Sequence, residues 1–247
     1  MNKLHEQRKM YKYAVIAFVL FLSLVPVYAK GAKDTSGKEE TAAATDAAAD
    51  TAVQEGGVKY NSSVNYPFFK TEPELNKQLA TITAGILKDF NANFYNDIST
   101  FDEIPIGYEC VIKAKDVYED DKNISFLLSL YTFTGGVHGE TTLIPINYSK
   151  NTKTLLSLKD VVGGTLSQAV LTKLSQESRK LLQEQQKKGV FNSNTEWIEQ
   201  GTEPSEENFS VWLFKGDHIR IVFQQYQVAP YSEGMPEITI PLSFFKQ

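Results

Sequence analysis

Histidine is the side chain best suited to acid–base or metal chemistry near neutral pH, and only two histidines lie beyond residue 57. His138 stands in the segment Gly135-Gly136-Val137-His138-Gly139-Glu140, whose glycines can adopt backbone conformations that are closed to other residues. His138 and Glu140 are two positions apart, so both side chains could point to one face of a strand. His218 follows the turn Gly216-Asp217 and is predicted to cap a hairpin.

Neither histidine belongs to a recognisable catalytic or metal-binding pattern. Catalytic zinc takes three protein ligands, whereas His138 and Glu140 supply two at most, so no metal and no cofactor are predicted. The sequence has no GxSxG elbow of a serine hydrolase and no phosphate-binding glycine loop ahead of a helix. Glycoside hydrolysis needs a pair of carboxylates, and nothing singles out one pair among the acidic residues. No catalytic residue is therefore assigned. The structural alternative for His138 is a hydrogen bond that fixes a neighbouring loop.

A second loop, Ala229-Pro230-Tyr231-Ser232-Glu233-Gly234-Met235-Pro236, carries the stronger prediction of binding. Its two prolines and its glycine stiffen the backbone, so presenting Tyr231 to a partner would cost little conformational entropy. Tyrosine is also enriched at binding hot spots. The predicted ligand-binding residues are Pro230, Tyr231, Ser232 and Glu233, joined by His138 if the two loops lie at one end of the sheets. The alternative is that Tyr231 folds back and covers the sheet.

The elements that would position these loops are strands interrupted by two long helices. An apolar stripe through Leu75, Leu79, Ile82, Ile86, Phe90 and Phe94 predicts a helix over 73–96. A second helix is predicted over 166–188, with a capping box at Thr165 and Gln168 and a terminating Gly189. Strands are predicted over 105–118, 123–133, 141–148, 154–156, 209–214, 219–223 and 237–241. This order predicts an α+β fold of two packed sub-domains, each with a long helix on an antiparallel β-sheet.

The first 57 residues are predicted to lie outside that fold. Residues 1–29 combine a basic start, an apolar run from Ala14 to Val25 and small residues before Lys30, which is typical of a signal peptide. An uncleaved signal anchor, holding the protein to the membrane, is the alternative. Residues 30–57 are rich in alanine, threonine and acids, and are predicted to be a disordered linker.

Charge and cysteine content narrow the possible partners. Residues 58–247 carry 23 acidic against 18 basic side chains, so no basic surface for nucleic acid is expected and a cationic partner is favoured. Cys110 is the only cysteine, which excludes an internal disulfide, and it stands in an alternating strand pattern that predicts burial.

The two loops, together with Tyr66-Pro67, give the chain a resemblance to a known pair of domains from about Lys59 onward. It resembles the paired domains of unknown function in lysozyme-sensing anti-sigma factors and in certain peptidoglycan deacetylases. The resemblance implies sub-domains at 58–134 and 135–247, whereas the strand pattern alone divides the chain near 149–160. It also implies the extracytoplasmic module without the sigma-binding or deacetylase regions.

The functional hypothesis is an exported, non-enzymatic module of the cell envelope, secreted or anchored outside the cytoplasmic membrane. Its expected ligand is a cell-wall glycan or a cationic, wall-cleaving protein such as lysozyme. The alternative is a peptidoglycan-directed hydrolase that uses His138 and a carboxylate such as Glu140.

Overall fold

The computed structural model describes residues 45–55, 58–100, 107–135 and 137–246. The predicted signal segment 1–29 and the linker up to residue 44 lie outside this range. Within it, no helix is both long enough and apolar enough to cross a membrane. The fold is α+β, as predicted, and it contains a six-stranded and a three-stranded sheet.

Residues 45–55 correct part of the linker prediction. They form strand β1 (Thr45–Glu55), which pairs along its whole length with β2 (Val58–Phe68) in an antiparallel hairpin. The segment lacks large apolar side chains, and this was the basis for predicting disorder. A strand at the edge of a sheet is held by backbone hydrogen bonds to its neighbour, and those do not depend on a hydrophobic side-chain pattern.

The six-stranded sheet, called sheet one, continues from β2 through a long crossover helix into a meander. Helix α1 (Pro73–Thr100) is followed by β3 (Tyr108–Glu119), β4 (Asn123–Phe133), β5 (Glu140–Ser149) and the short β6 (Thr154–Leu155). The strand order is β1-β2-β3-β4-β5-β6. Strands β2 and β3 pair in parallel, unlike the predicted all-antiparallel arrangement, because helix α1 returns the chain to the same end of the sheet.

The predicted stripe of α1 is its buried face. Leu75, Leu79, Ile82, Phe90 and Phe94 are all buried, and Ile86 is half-buried. Phe90 and Phe94 pack against the rings of Tyr60 in β2 and Tyr108 in β3.

The three-stranded sheet, called sheet two, and the remaining helices form the second half of the fold. The helices are α2 (Leu158–Val161), α3 (Gln168–Lys187) and α4 (Thr195–Gly201), and the strands are β7 (Trp212–Lys215), β8 (His218–Val222) and β9 (Glu237–Pro241). Short 3-10 turns lie at Glu207–Phe209, Tyr231–Glu233 and Leu242–Lys246. The cap of α3 is Ser167, whose hydroxyl accepts a hydrogen bond from Val170 N–H, in place of the predicted Thr165. Gly189, at φ 70°, follows the end of α3 as predicted.

The two sheets are stacked between two helices. On β4, the even-numbered residues share a face with Tyr108 of β3, which packs on α1. Leu127 lies on the other face and packs with Leu143 and with Leu213 and Val222 of sheet two. The opposite face of sheet two packs against α3 in a large core that contains Trp212, Phe214, Ile219, Ile221, Leu174 and Leu182. Strands β4 and β5, on either side of the predicted boundary at 134/135, are paired neighbours. Sheet one ends with β6 at Leu155 and sheet two begins with β7 at Trp212, and the division into sub-domains stays a prediction.

Candidate binding surface

The first predicted loop joins β4 to β5, and Gly139 fixes its path. A side chain at Gly139 would overlap the ring of Tyr131, which lies directly over the glycine. Gly135 has a φ of 91°, in the region that favours glycine. Between these points Val137 is 99% exposed and His138 is also exposed. The loop is therefore pinned at its base while its tip faces solvent.

The second predicted loop lies between β8 and β9 and is held from beneath. Pro230 precedes the 3-10 turn Tyr231–Glu233, and Gly234 leaves it at a φ of 72°. Ser193 Oγ donates a 2.6 Å hydrogen bond to the carbonyl of Val228, and Asn192 N–H donates a 2.9 Å hydrogen bond to Glu233 Oε2. Tyr231 remains 41% exposed. The ring is therefore open to solvent, and its role in binding stays a prediction.

Glutamine side chains bind the second loop to the first sheet. The Gln224 amide accepts a 3.0 Å hydrogen bond from Leu143 N–H and donates a 2.7 Å hydrogen bond to the carbonyl of Leu143. Gln224 thereby replaces a neighbouring strand along the open edge of β5. Gln227 donates to the carbonyls of Gly201 and Asn208, which ties the same loop to α4.

These anchors bring the two predicted loops together. The rings of His138 and Tyr231 are stacked, with centroids 4.8 Å apart and planes at 29°. Tyr226 lies 5.7 Å from Tyr231, and Trp197 of α4 lies 6.5 Å from Tyr226, measured between ring centroids. We refer to His138, Tyr231, Tyr226 and Trp197 as the aromatic row. It runs from the β4–β5 loop across the β8–β9 loop to α4.

The predicted residues contribute to this surface in different ways. Pro230 sets the start of the turn, Ser232 is exposed, and Glu233 is partly engaged by Asn192. Trp197 and Tyr226 had not been assigned to the site from the sequence. Trp197 is half-exposed in a polar stretch, and Tyr226 has an unusual φ of 62°. Neither observation by itself reveals that the two rings meet.

The chemistry open to His138 follows from its hydrogen bond. Its Nδ1 lies 2.9 Å from the carbonyl oxygen of Gly139, so Nδ1 carries the proton and a neutral ring keeps Nε2 as an acceptor. This bond is within its own loop, while the contact with the neighbouring loop is the ring stack on Tyr231. In the part of the chain that the structure describes, no group of three or more His, Cys, Asp or Glu side chains could hold a metal ion.

The other two residues singled out from the sequence are structural. Cys110 is fully buried, as predicted, and burial raises the pKa of its thiol to about 12, which keeps it protonated and unreactive. His218 opens β8 and lies 2.5 Å from Asp217 through its Nδ1, at the hairpin where a capping role was predicted.

Comparison with known families supports the relationship that the two loops suggested. A family model described as Deacetylase PdaC matches residues 54–141, and a model described as a protein of unknown function, DUF3298, matches residues 163–243. The predicted resemblance to a deacetylase-associated domain pair is confirmed. The resemblance to anti-sigma factors stays a prediction.

Individual relatives agree with this assignment. The chain is 27% identical over 194 residues to the peptidoglycan-N-acetylmuramic acid deacetylase PdaC of Bacillus subtilis, covering 77% of this chain but only 39% of that relative. The fold of the present chain is similar to crystal structures of DUF3298 proteins from Pseudomonas aeruginosa and Bacteroides fragilis, with TM-scores of 0.55 and 0.56. The Pseudomonas protein is 19% identical, and the match covers 84% of this chain and 94% of that protein. The Bacteroides protein is 16% identical, and the match covers 83% of this chain and 92% of that protein. At such identities the likeness concerns the fold.

Proposed function

We propose that this protein is an extracytoplasmic, non-enzymatic binding module of the cell envelope, and that the aromatic row is its ligand-binding surface. The stack of His138 on Tyr231 is the observation that carries the proposal, because it joins two separately anchored loops in one exposed surface. The relationship to a peptidoglycan deacetylase supports a place in the envelope.

The arrangement of charge and rings favours a cationic protein as the ligand. Exposed aromatic rings bind Lys and Arg side chains through cation–π contacts and make hot spots at protein interfaces. Glu140 and Glu196 are exposed next to the two ends of the row, so a basic partner gains electrostatic attraction as well. Lysozyme has this chemistry. The second candidate is a cell-wall glycan, favoured by the substrate in the name of the deacetylase relative.

Calorimetric titration with lysozyme and with soluble muropeptides tests the proposal. Tyr231→Ala removes one of the two inner rings of the row and should weaken binding by about 1–2 kcal/mol. The matched control is Phe68→Ala, because Phe68 is similarly exposed at 43% but lies at the far end of sheet one, away from the β4–β5 loop. It should leave binding unchanged.

The competing outcomes are distinct. Binding of muropeptide alone, weakened by Tyr231→Ala, assigns the glycan as ligand. Turnover of muropeptide that His138→Ala abolishes overturns the proposal in favour of a hydrolase. Equal affinity of wild type and Tyr231→Ala would show that the ligand binds elsewhere.

A further inference from the structure

Side chains close free strand edges of this fold at β7 and at β5. At the edge of β7, the outward carbonyl of Trp212 accepts a hydrogen bond from Asn147 of sheet one. The outward N–H of Phe214 donates to the hydroxyl of Ser125 of sheet one. The open edge of β5 at Leu143 is bonded by Gln224. An unpaired strand edge is otherwise a template for another extended chain, so these bonds prevent pairing at both places.

Among the described residues, the outer edge of β9 is closed by a side chain at Glu237 and not at Thr239. Phe223 N–H donates to Pro236 and Leu242 N–H donates to Asp217, so even-numbered residues of β9 bond to β8 and odd-numbered residues face outward. Gln185 Nε2 donates a 2.8 Å hydrogen bond to the outward carbonyl of Glu237. Within the described residues, no acceptor is found for the outward N–H of Thr239.

An open groove of about 600 Å³ runs beside this edge, between β9 and the end of α3. Met235, which is half-buried, contributes apolar surface to it, and the buried core residues Phe191 and Ile238 lie at its floor. Val190, which also lines it, is 67% exposed. The charged side chains among its lining residues are the carboxylates of Glu233 and Glu237, and Glu237 also pairs with Arg220 at 3.2 Å.

We propose that this groove binds an extended peptide with alternating apolar and basic side chains, which adds as a strand to the outer edge of β9. Backbone hydrogen bonds to Thr239 would supply affinity, as in other cases of strand addition to a sheet edge. The apolar side chains would pack on Val190 and Met235, and the basic side chains would face the two carboxylates. The hydrogen bond from Gln185 already occupies the position that a peptide N–H would take at Glu237.

Titration with acetylated and amidated Lys-Val-Lys-Val-Lys tests the proposal. Thr239→Pro removes the outward N–H and should weaken binding about tenfold, the equivalent of one lost hydrogen bond. Proline is tolerated at an outward-facing position of an edge strand, and Thr239→Val is the matched control because it keeps the N–H. Thr239→Val should bind within about twofold of wild type.

A second measurement needs no variant. Amide exchange of Thr239, followed by NMR in the wild-type protein, should slow when the peptide is added. A peptide N-methylated at alternate amides, or one with glutamate in place of lysine, should not bind. No binding of the Lys-Val peptide, or unchanged Thr239 exchange in its presence, overturns the proposal. Tyr231→Ala should not affect this peptide, so the groove and the aromatic row are tested separately.

Discussion

At the scale of single residues, the candidate surface depends on Gly139, where a side chain would overlap the Tyr131 ring. Gly139 lies beneath the Tyr131 ring, so Gly139→Ala forces either the ring or the loop to move. The expected cost is about 1–3 kcal/mol in the free energy of unfolding, as for other overpacked sites. Urea denaturation measures it.

A double-mutant cycle identifies the cause of that cost. In a Tyr131→Ala background the ring is absent, so the added methyl group of Gly139→Ala should cost much less. Equal costs in both backgrounds would show that backbone strain, and not the ring, demands glycine. The glycine-rich composition of this loop was visible in the sequence. The identity of the overlying ring was not, because Tyr131 and Gly139 meet only after the loop has folded.

Asp120 in the β3–β4 turn gives a prediction that depends on pH. Its carboxylate accepts hydrogen bonds from Lys122 N–H and Asn123 N–H at 2.8 and 2.7 Å, and from the Tyr118 hydroxyl at 2.8 Å. Partial burial raises the pKa of Asp120, but these hydrogen bonds and the Lys150 ammonium outweigh it and hold the pKa below its ordinary value. Asp120→Asn should therefore cost about 1 kcal/mol of stability at pH 7.

The sign of the pH dependence follows from the lowered pKa. The contribution of Asp120 is present above the ordinary carboxyl pKa of about 3.9 and is lost as the pH falls through the lower folded-state value. The stability difference between wild type and Asp120→Asn should accordingly shrink in acid. Asp121→Asn is the control, since none of these hydrogen bonds reaches Asp121. A difference that grew on acidification would contradict the assignment.

At the scale of elements, a buried polar chain joins β4 and β5 to the edge of β7. Phe214 N–H donates to Ser125 Oγ at 2.9 Å, and the Ser125 hydroxyl donates to Asn147 Oδ1 at 2.5 Å. Asn147 Nδ2 then donates to the carbonyl of Trp212 at 2.8 Å. Ser125→Ala leaves two buried groups without partners, so a loss of about 2–3 kcal/mol is expected in the free energy of unfolding.

Ser129→Ala is the control for this chain of hydrogen bonds. Ser129 is buried on the same strand and the same face as Ser125, but it is not part of the polar chain. Its truncation should cost much less. Similar losses for the two variants would mean that packing of the small side chain, and not hydrogen bonding, is what β4 requires.

The sequence predicts elements well where side chains determine them and poorly where the backbone does. The stripe of α1 and the strand pattern of β4 were sufficient, because both elements bury their side chains. Strand β1 was missed because it is an edge held by backbone pairing. Strand β2 was not predicted either, so its parallel pairing with β3 was missed as well.

At the scale of the whole molecule, the same limit applies to the candidate surface. The sequence identified both loops, because each interrupts a strand pattern with residues that favour unusual backbone conformations. It did not show that Trp197 and Tyr226 extend the row from His138 and Tyr231. That juxtaposition arises because the β8–β9 loop is bonded to α4 on one side and to sheet one on the other, through contacts far apart in sequence.

The shared core between the sheets predicts that the two halves unfold together. Leu127 of sheet one is buried against Leu213 and Val222 of sheet two. Both tryptophans, Trp197 and Trp212, lie in the second half, so tryptophan fluorescence reports unfolding there. Leu127→Ala should lower the stability measured by fluorescence by about 2–4 kcal/mol, although the change lies in the first half.

Circular dichroism should give the same midpoint as fluorescence for wild type and variant, as expected for one cooperative unit. Val117→Ala, at a half-exposed position of β3, is the control and should change stability little. If the halves were independent, Leu127→Ala would shift the circular dichroism curve while the fluorescence midpoint stayed in place. The hydrogen bonds from Asn147 and Ser125 to β7 argue for the cooperative result, because separating the sheets would expose those groups together with the apolar contact.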